Sequence, residues 1–356
     1  MKSVKERTLI SLKELSTKLF SYKSVALVCH IRPDGDTLGS AFALAKALQN
    51  NGASVTVFCD DNIPDKFKFL PIVNTAKRSF DGEFQAFVAI DCAEKTRLGE
   101  IESAFLGHKN SFVIDHHVSN GRYAKTNYVE DLSSNCEIIY NLICLAGVKI
   151  DNEIANLLAM GIMTDTGNFK HKNVKASTFL IMSKLVELGA DVNRLNYEMF
   201  NKQTKARASL FANTMSKIRY ELEGRLAFIT VFISDLVKTG AKQDETEGFI
   251  DFVMGICGVE VGVCMLEVAT NKYKISLRSK DTDVNAVAGE FGGGGHVLAS
   301  GCQIPGEYEE VVDRLVVAVK KHNIMANRPV ESISALILEN QSKNVSKIRK
   351  LICTEI

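Results

Sequence analysis

The chain has 356 residues, more than a single core usually spans, so two domains are expected. Hydrophobic residues make up 46% and charged residues 24%, ordinary values for a globular protein, and the formal net charge is +1. A protein that grips long duplex DNA through its phosphates usually carries a basic excess, so that substrate is set aside and a short phosphorylated one is kept.

Met1 to Phe20 is polar and amphipathic, unlike a signal peptide, and Leu9 to Phe20 has helical spacing. Val25 to Cys29 is a short apolar run that reads as a buried parallel strand ending at His30. Ser40 to Asn50 reads as a helix stopped by Asn51-Gly52. Val55 to Phe58, Ala86 to Ile90 and Phe112 to Ile114 read as strands, the last two ending at Asp91 and Asp115. Helices are predicted at Cys136 to Ala146, Ile154 to Met163 and Ala176 to Leu188. Strands alternating with helices imply a mostly parallel α/β sheet. In such sheets ligands bind outside the carboxyl ends of the strands, where His30, Asp91 and Asp115 all fall.

Asn196 to Tyr220 is polar and nearly free of Gly and Pro, and is expected to be a helical linker and hinge. A second unit follows, with strands at Leu226 to Phe232, Glu260 to Ala269 and Tyr273 to Arg278. Helices are expected at Glu245 to Ile256, Val284 to Phe291 and Glu307 to His322. The expected division is a catalytic domain over 1–192, a helical linker over 193–222, a smaller α/β recognition domain over 223–325, and a tail over 326–356. The tail reads as an amphipathic helix for packing or for a homodimer. The most apolar stretch, Phe252 to Ala269, contains Glu260, Glu267 and three glycines, too interrupted for a membrane span. Nine cysteines without a C-x-x-C pair suggest free thiols in a reducing compartment, so the cytoplasm is the expected location.

Hydrolysis of a phosphoester needs an activated water and neutralised charge, and two divalent ions roughly 3.5–4 Å apart supply both. Such a site takes several carboxylates, one of them bridging, with imidazoles if the metal is Mn²⁺ rather than Mg²⁺. His30, Asp34 and Asp36 sit in one tight loop turned by Pro33 and Gly35. Asp91 is the natural bridge, and His116 and Asp165 complete the second ion. Singly, each of these residues has an ordinary explanation as a turn, a cap or a surface loop. Together, at matching strand ends, they read as a metal centre. In the second unit, Arg278 offers a guanidinium fork for a terminal phosphate. Gly292 to Gly295 reads as a nest of backbone N–H groups for an anion, and His296 as a donor or a base-stacking ring.

The order His-x3-Asp-Gly-Asp, Asp at a strand end, Asp-His-His, Thr-Asp-Thr and Gly-Gly-Gly-Gly-His strongly resembles the DHH phosphoesterase superfamily. The resemblance covers about residues 20–322. The glycine-rich ending points to members with a DHH-associated C-terminal domain, and among them to the oligoribonuclease (nano-RNase) and 3′-phosphoadenosine-5′-phosphate (pAp) phosphatase branch. The resemblance implies that His30, Asp34 and Asp91 hold one manganese and that Asp36, Asp91, His116 and Asp165 hold the other. It also implies that His117 faces the substrate phosphate and that Asp115 orients a histidine. Arg278, Ser279, Gly293, Gly294, Gly295 and His296 would bind the substrate end that is not cut. Thr246-Glu247-Gly248 resembles a further family segment. After His296 the resemblance fades, which leaves base preference open. The expected activity is Mn²⁺-dependent hydrolysis of short single-stranded RNA, a linear dinucleotide such as pApA, or pAp. Polyphosphate or pyrophosphate hydrolysis, cyclic-dinucleotide cleavage and non-catalytic nucleotide binding are the rival expectations.

Overall fold

The computed structural model describes residues 8–80 and 82–322. Their contacts separate into two units that meet in sequence between Lys202 and Gln203. The helix expected in the tail lies outside the described residues.

The first unit opens with a two-residue strand, β1 (Thr8–Leu9), and helix α1 (Leu12–Leu19). Ser11 and Glu14 form a capping box that fixes where α1 begins. The apolar runs become β2 (Ser24–Cys29), β3 (Ser54–Phe58), β4 (Ala86–Ile90) and β5 (Ser111–Asp115), joined by β6 (Thr126–Val129). The strand order is β1-β6-β5-β4-β2-β3, and every pairing is parallel. β4 and β5 are buried along their whole length, as strands covered on both faces must be.

Helices α2 (Gly35–Asn50), α4 (Asn135–Leu145), α5 (Asn152–Asp165) and α6 (Ala176–Glu187) build the larger core around residues such as Phe42, Leu44, Leu157 and Met160. The short helix α3 (Glu102–Gly107) covers the other face over Phe87 and Val113. Chain direction decides where the site can form. From β2 the chain moves to β3 on one side, then returns to β4 on the other side and continues outward to β5 and β6. The carboxyl ends of β2 and β4 therefore flank the topological switch point, where an open α/β sheet leaves a crevice.

The 193–222 stretch is not one helical linker. Helix α7 (Val192–Asn196) and a π turn over Tyr197–Asn201 belong to the first unit. Lys202 is extended, and Thr204 caps a new helix, α8 (Lys205–Met215), which leads to strand β7 (Arg219–Glu221). Thr204 accepts from the Arg207 N–H, so the polar stretch contains its own restart signal.

The second unit continues with β8 (Leu226–Val231), α9 (Ile233–Thr239), α10 (Phe249–Met254), β9 (Val261–Ala269) and β10 (Lys272–Ser279). It closes with α11 (Val284–Gly289), β11 (Gly294–His296), β12 (Ala299–Pro305) and α12 (Tyr308–His322). The sheet order is β11-β12-β10-β9-β8-β7, mixed because β8 and β9 run parallel. One face buries Tyr273, Ile275 and Leu277 under α11 and α12. The helix expected over Glu245 to Ile256 is shorter: Gly248, at φ 82°, breaks it, and α10 starts at Phe249.

Candidate metal centre and anion-binding surface

Three of the expected ligands are fixed by helix ends. Asp34 is the N-cap of α2; its Oδ1 accepts from the N–H groups of Asp36 and Thr37, each at 3.1 Å. That leaves Oδ2 free to face His30 Nε2 at 3.6 Å. Asp36, in the first turn of α2, accepts from the N–H groups of Asn135 at 2.6 Å and Cys136 at 2.9 Å. Those N–H groups open α4, so a buried carboxylate sits on a helix N-terminus, where negative charge is favoured. Asp165 is the last residue of α5, at the opposite kind of helix end. Asp91 leaves β4 in a left-handed conformation, φ 55°, with its N–H held by the Ile114 carbonyl at 2.9 Å. A non-glycine residue there costs about 1–2 kcal/mol, and such strain is typical of functional sites.

These side chains converge. Asp91 turns Oδ2 toward His30 Nε2 at 3.7 Å and Oδ1 toward His116 Nε2 at 3.4 Å. His116 Nε2 also lies 3.5 Å from Asp165 Oδ2 and 3.9 Å from Asp36 Oδ2. His30, Asp34 and Asp91 form one set of mutually close ligand atoms, and Asp36, His116 and Asp165 another. His116 Nδ1 lies 3.0 Å from the Leu132 carbonyl; donating there leaves the Nε2 lone pair aimed at the carboxylates.

The donor set fits a divalent cation. Asp91 Oδ1 and His116 Nε2 are both buried and have no hydrogen-bond partner among the described residues. Burial, together with the Asp36 charge, pushes the Asp91 carboxyl well above the usual carboxylate range. Burial raises Asp36 as well, with Asp34 adding to it. Asp165 is pushed up to about 7 by burial and by Asp36. A bound cation would reverse this mutual repulsion. Mixed carboxylate and imidazole ligands suit Mn²⁺ and its neighbours.

Asp115 serves the site differently. Its Oδ1 accepts from the backbone N–H of His116 at 2.8 Å, the N–H of His117 at 3.2 Å and His117 Nδ1 at 2.7 Å. Its Oδ2 accepts from Asn120 Nδ2. Burial alone would raise this carboxyl, but the bonds from His117 and Asn120 outweigh it and hold it low. The bond to Asp115 raises the His117 imidazole in turn. His117, half exposed, therefore has a fixed ring, and in its protonated form, which Asp115 favours, the Nε2 N–H is left to donate.

In the second unit, Arg278 on β10 pairs with Gly262 on β9 and with Ala299 on β12, and His296 on β11 pairs with the same Ala299. Directly paired residues share a face, so Arg278 and His296 stand on one side of the sheet with only Ala299 between them across the ladder. Arg278 Nη1 donates to the Leu277 carbonyl at 3.0 Å. A cavity of about 500 Å³ opens beside it, lined also by Lys274, Ser276, Thr246, Glu247 and Gly248.

Two expectations change here. Ser279 does not join Arg278: it is buried, and its hydroxyl donates to the Thr282 carbonyl. Alternation along β10 turns it to the other face. The glycine run is not an open nest of donors. The N–H groups of Gly292, Gly293 and Gly295 are bonded to Gly289 O, Ala288 O and Asn285 Oδ1. The glycines act by size. A Cβ on Gly293 would lie 2.2 Å from the Gly301 carbonyl oxygen, and one on Gly295 would lie 2.6 Å from that of Ala299. Only glycine lets Gly294 and His296 lie flat against β12.

Residues 24–162 match the DHH family, N-terminal domain, and residues 227–322 match the DHHA1 domain. This chain is a DHH phosphoesterase with a DHHA1 domain. This phosphoesterase is 28% identical over 291 residues to the probable bifunctional oligoribonuclease and PAP phosphatase NrnA of Streptococcus mutans, covering 81% of this chain and 92% of that protein. It is 27% identical over 307 residues to the bifunctional oligoribonuclease and PAP phosphatase NrnA of Thermus thermophilus, covering 83% and 89%. An exopolyphosphatase-related protein from Bacteroides fragilis superposes with a TM-score of 0.77 at 26% identity, covering 89% of this chain and 98% of that one.

Two residues at the candidate metal centre of this phosphoesterase carry no signal in the sequence. Asn120 reaches both Asp115 Oδ2 and the Cys92 carbonyl. Arg97 places Nη2 2.8 Å from His30 Nδ1. Asn120 arrives from a loop and Arg97 from a short 3-10 helix (Lys95–Ile101), both through tertiary contacts, with no periodicity or motif to mark them. Among the described residues no helix is long and apolar enough to cross a membrane.

Proposed function

We propose that this phosphoesterase hydrolyses short oligoribonucleotides and linear dinucleotides such as pApA to mononucleotides, and removes the 3′-phosphate of pAp. The observation that carries the proposal is Asp91, whose two oxygens face His30 and His116, the heads of two ligand sets. Two divalent ions, Mn²⁺ or Mg²⁺, held by His30, Asp34 and Asp91 and by Asp36, Asp91, His116 and Asp165, would supply an activated water and neutralise phosphate charge. His117, held by Asp115, donates to a phosphate oxygen at the reacting end. Arg278 takes the phosphate that is not cut, with His296 as second donor or stacking ring. The names of the relatives from Streptococcus mutans and Thermus thermophilus support this choice of substrates.

A second reading, polyphosphate or pyrophosphate hydrolysis, draws support from the Bacteroides fragilis relative. Arg278 would serve either substrate through its charge; the His296 ring that shares its side of the sheet favours the nucleotide reading, because a base can stack on it and an inorganic phosphate cannot. The test is product analysis with Mn²⁺ and a panel of pApA, a five-base RNA, pAp, cyclic di-AMP, pyrophosphate and polyphosphate. Mononucleotide release from pApA and RNA supports the proposal. Turnover of pyrophosphate or polyphosphate alone transfers the case to the second reading. Tight binding of pApA with no cleavage makes the chain a nucleotide-binding regulator.

A further inference from the structure

We propose that Arg97 is a substrate ligand of this site, contributing a guanidinium to the phosphate being cut. The inference rests on the functional reading above.

The segment that carries Arg97 is fixed from two sides. The Ile31 N–H donates to the Arg97 carbonyl at 2.8 Å, tying it to the loop that follows His30. Two residues on, Gly99 adopts φ 67° against Asp60, where a Cβ would lie 2.2 Å from the carboxylate, and the Glu100 N–H donates to Asp60 at 3.2 Å. Arg97 is thus delivered to the centre by backbone contacts and does not reach it from a flexible surface strand.

Its side chain is half-buried and makes no ion pair with any described carboxylate. That is unusual for an arginine one imidazole ring away from Asp34 and Asp91, which face His30 Nε2. Its neighbour is His30 Nδ1, and that nitrogen has two suitors at 2.8 Å: Arg97 Nη2 and the Ile31 carbonyl. Nδ1 can serve one of them. Accepting from Arg97 leaves the hydrogen on Nε2, which then has no lone pair for a metal. Donating to Ile31 presents the Nε2 lone pair, and the Arg97 donors must then go elsewhere. Arginine never gives up its charge, and its five N–H groups suit a phosphate. A phosphate lying over the His30, Asp34 and Asp91 ligand set is the partner in reach. Arg97 would stabilise charge that builds on the phosphate oxygens during attack.

The test uses Arg97→Ala and Arg97→Lys, with Mn²⁺ affinity from electron paramagnetic resonance alongside kcat and KM for pApA. The expected result for Arg97→Ala is a drop in kcat/KM of about 30-fold or more, Mn²⁺ affinity unchanged or tighter, and no recovery in excess Mn²⁺. Arg97→Lys, which keeps the charge and loses the fork, should recover part of the activity. Two results overturn the inference: wild-type turnover in Arg97→Ala, or a loss of Mn²⁺ affinity with activity restored by excess Mn²⁺. The latter would make Arg97 a support for His30 only. Wild-type protein that binds Mn²⁺ but leaves pApA intact overturns the functional reading first, and this inference with it.

Discussion

Asp91 Oδ1 and His116 Nε2 lie 3.4 Å apart, both buried, and neither has a hydrogen-bond partner among the described residues. Two lone pairs cannot satisfy each other. A buried acceptor left alone costs about 1–3 kcal/mol, so the pair is explained by a cation that both can reach.

Asp91→Ala should therefore abolish function. Turnover of pApA should fall by more than about 100-fold, since even outer-shell changes at metal sites cost 10–100-fold. Mn²⁺ stoichiometry, read by electron paramagnetic resonance, should fall with it. Full activity in Asp91→Ala would sink the metal reading.

The carboxylate cluster also sets a pH dependence. Asp91, Asp36 and Asp165 are raised from the ordinary value of 3.8, Asp165 to about 7. Between those limits the folded chain binds more protons than the unfolded one. The stability linked to these groups is present at low pH and lost as pH rises through about 7. Asp34 and Asp115 are shifted the other way and act below 3.8, outside this window. In EDTA the melting temperature should fall from pH 5 to pH 8, and saturating Mn²⁺ should cancel the fall. A rise with pH in EDTA would contradict the cluster's electrostatics.

Arg278→Ala should act on binding. Hydrogen bonds to a charged group are worth about 1.5–3 kcal/mol, so KM for pApA should rise roughly 10- to 100-fold. The kcat should stay within about threefold if the non-reacting phosphate is what Arg278 holds. An equal fall in kcat and kcat/KM would move Arg278 to the reacting phosphate.

Gly293→Ala should damage the second unit alone. The new methyl meets the Gly301 carbonyl, and overpacking of this kind costs about 1–3 kcal/mol. Calorimetry should show a lower transition for that unit while Mn²⁺ binding persists. An unchanged melt would mean that β11 moves away from β12 without cost.

Much of the first sheet is legible because β2, β4 and β5 are continuous apolar runs that stop at His30, Asp91 and Asp115. β6 is hidden by its polar Thr126 and Asn127, and β12 by Gly301 and Pro305. The glycine run reads as an open nest because composition cannot separate glycines that leave their N–H groups free from glycines that fit a tight sheet edge. At the centre, the cap and ligand readings of Asp34 compete on paper, yet its two oxygens satisfy both. Ser279 is misread because a motif marks neighbours in sequence while a strand alternates them between faces. Arg97 and Asn120 are invisible for a deeper reason: their positions are products of the fold.

Asp165 closes α5, at the end where helix carbonyls already present negative charge. A carboxylate there works against its own helix as well as against Asp36. Asp165→Asn would relieve both burdens. The expected descendant is a hardier protein that no longer turns over substrate, so selecting this chain for heat resistance alone would favour the loss of its chemistry.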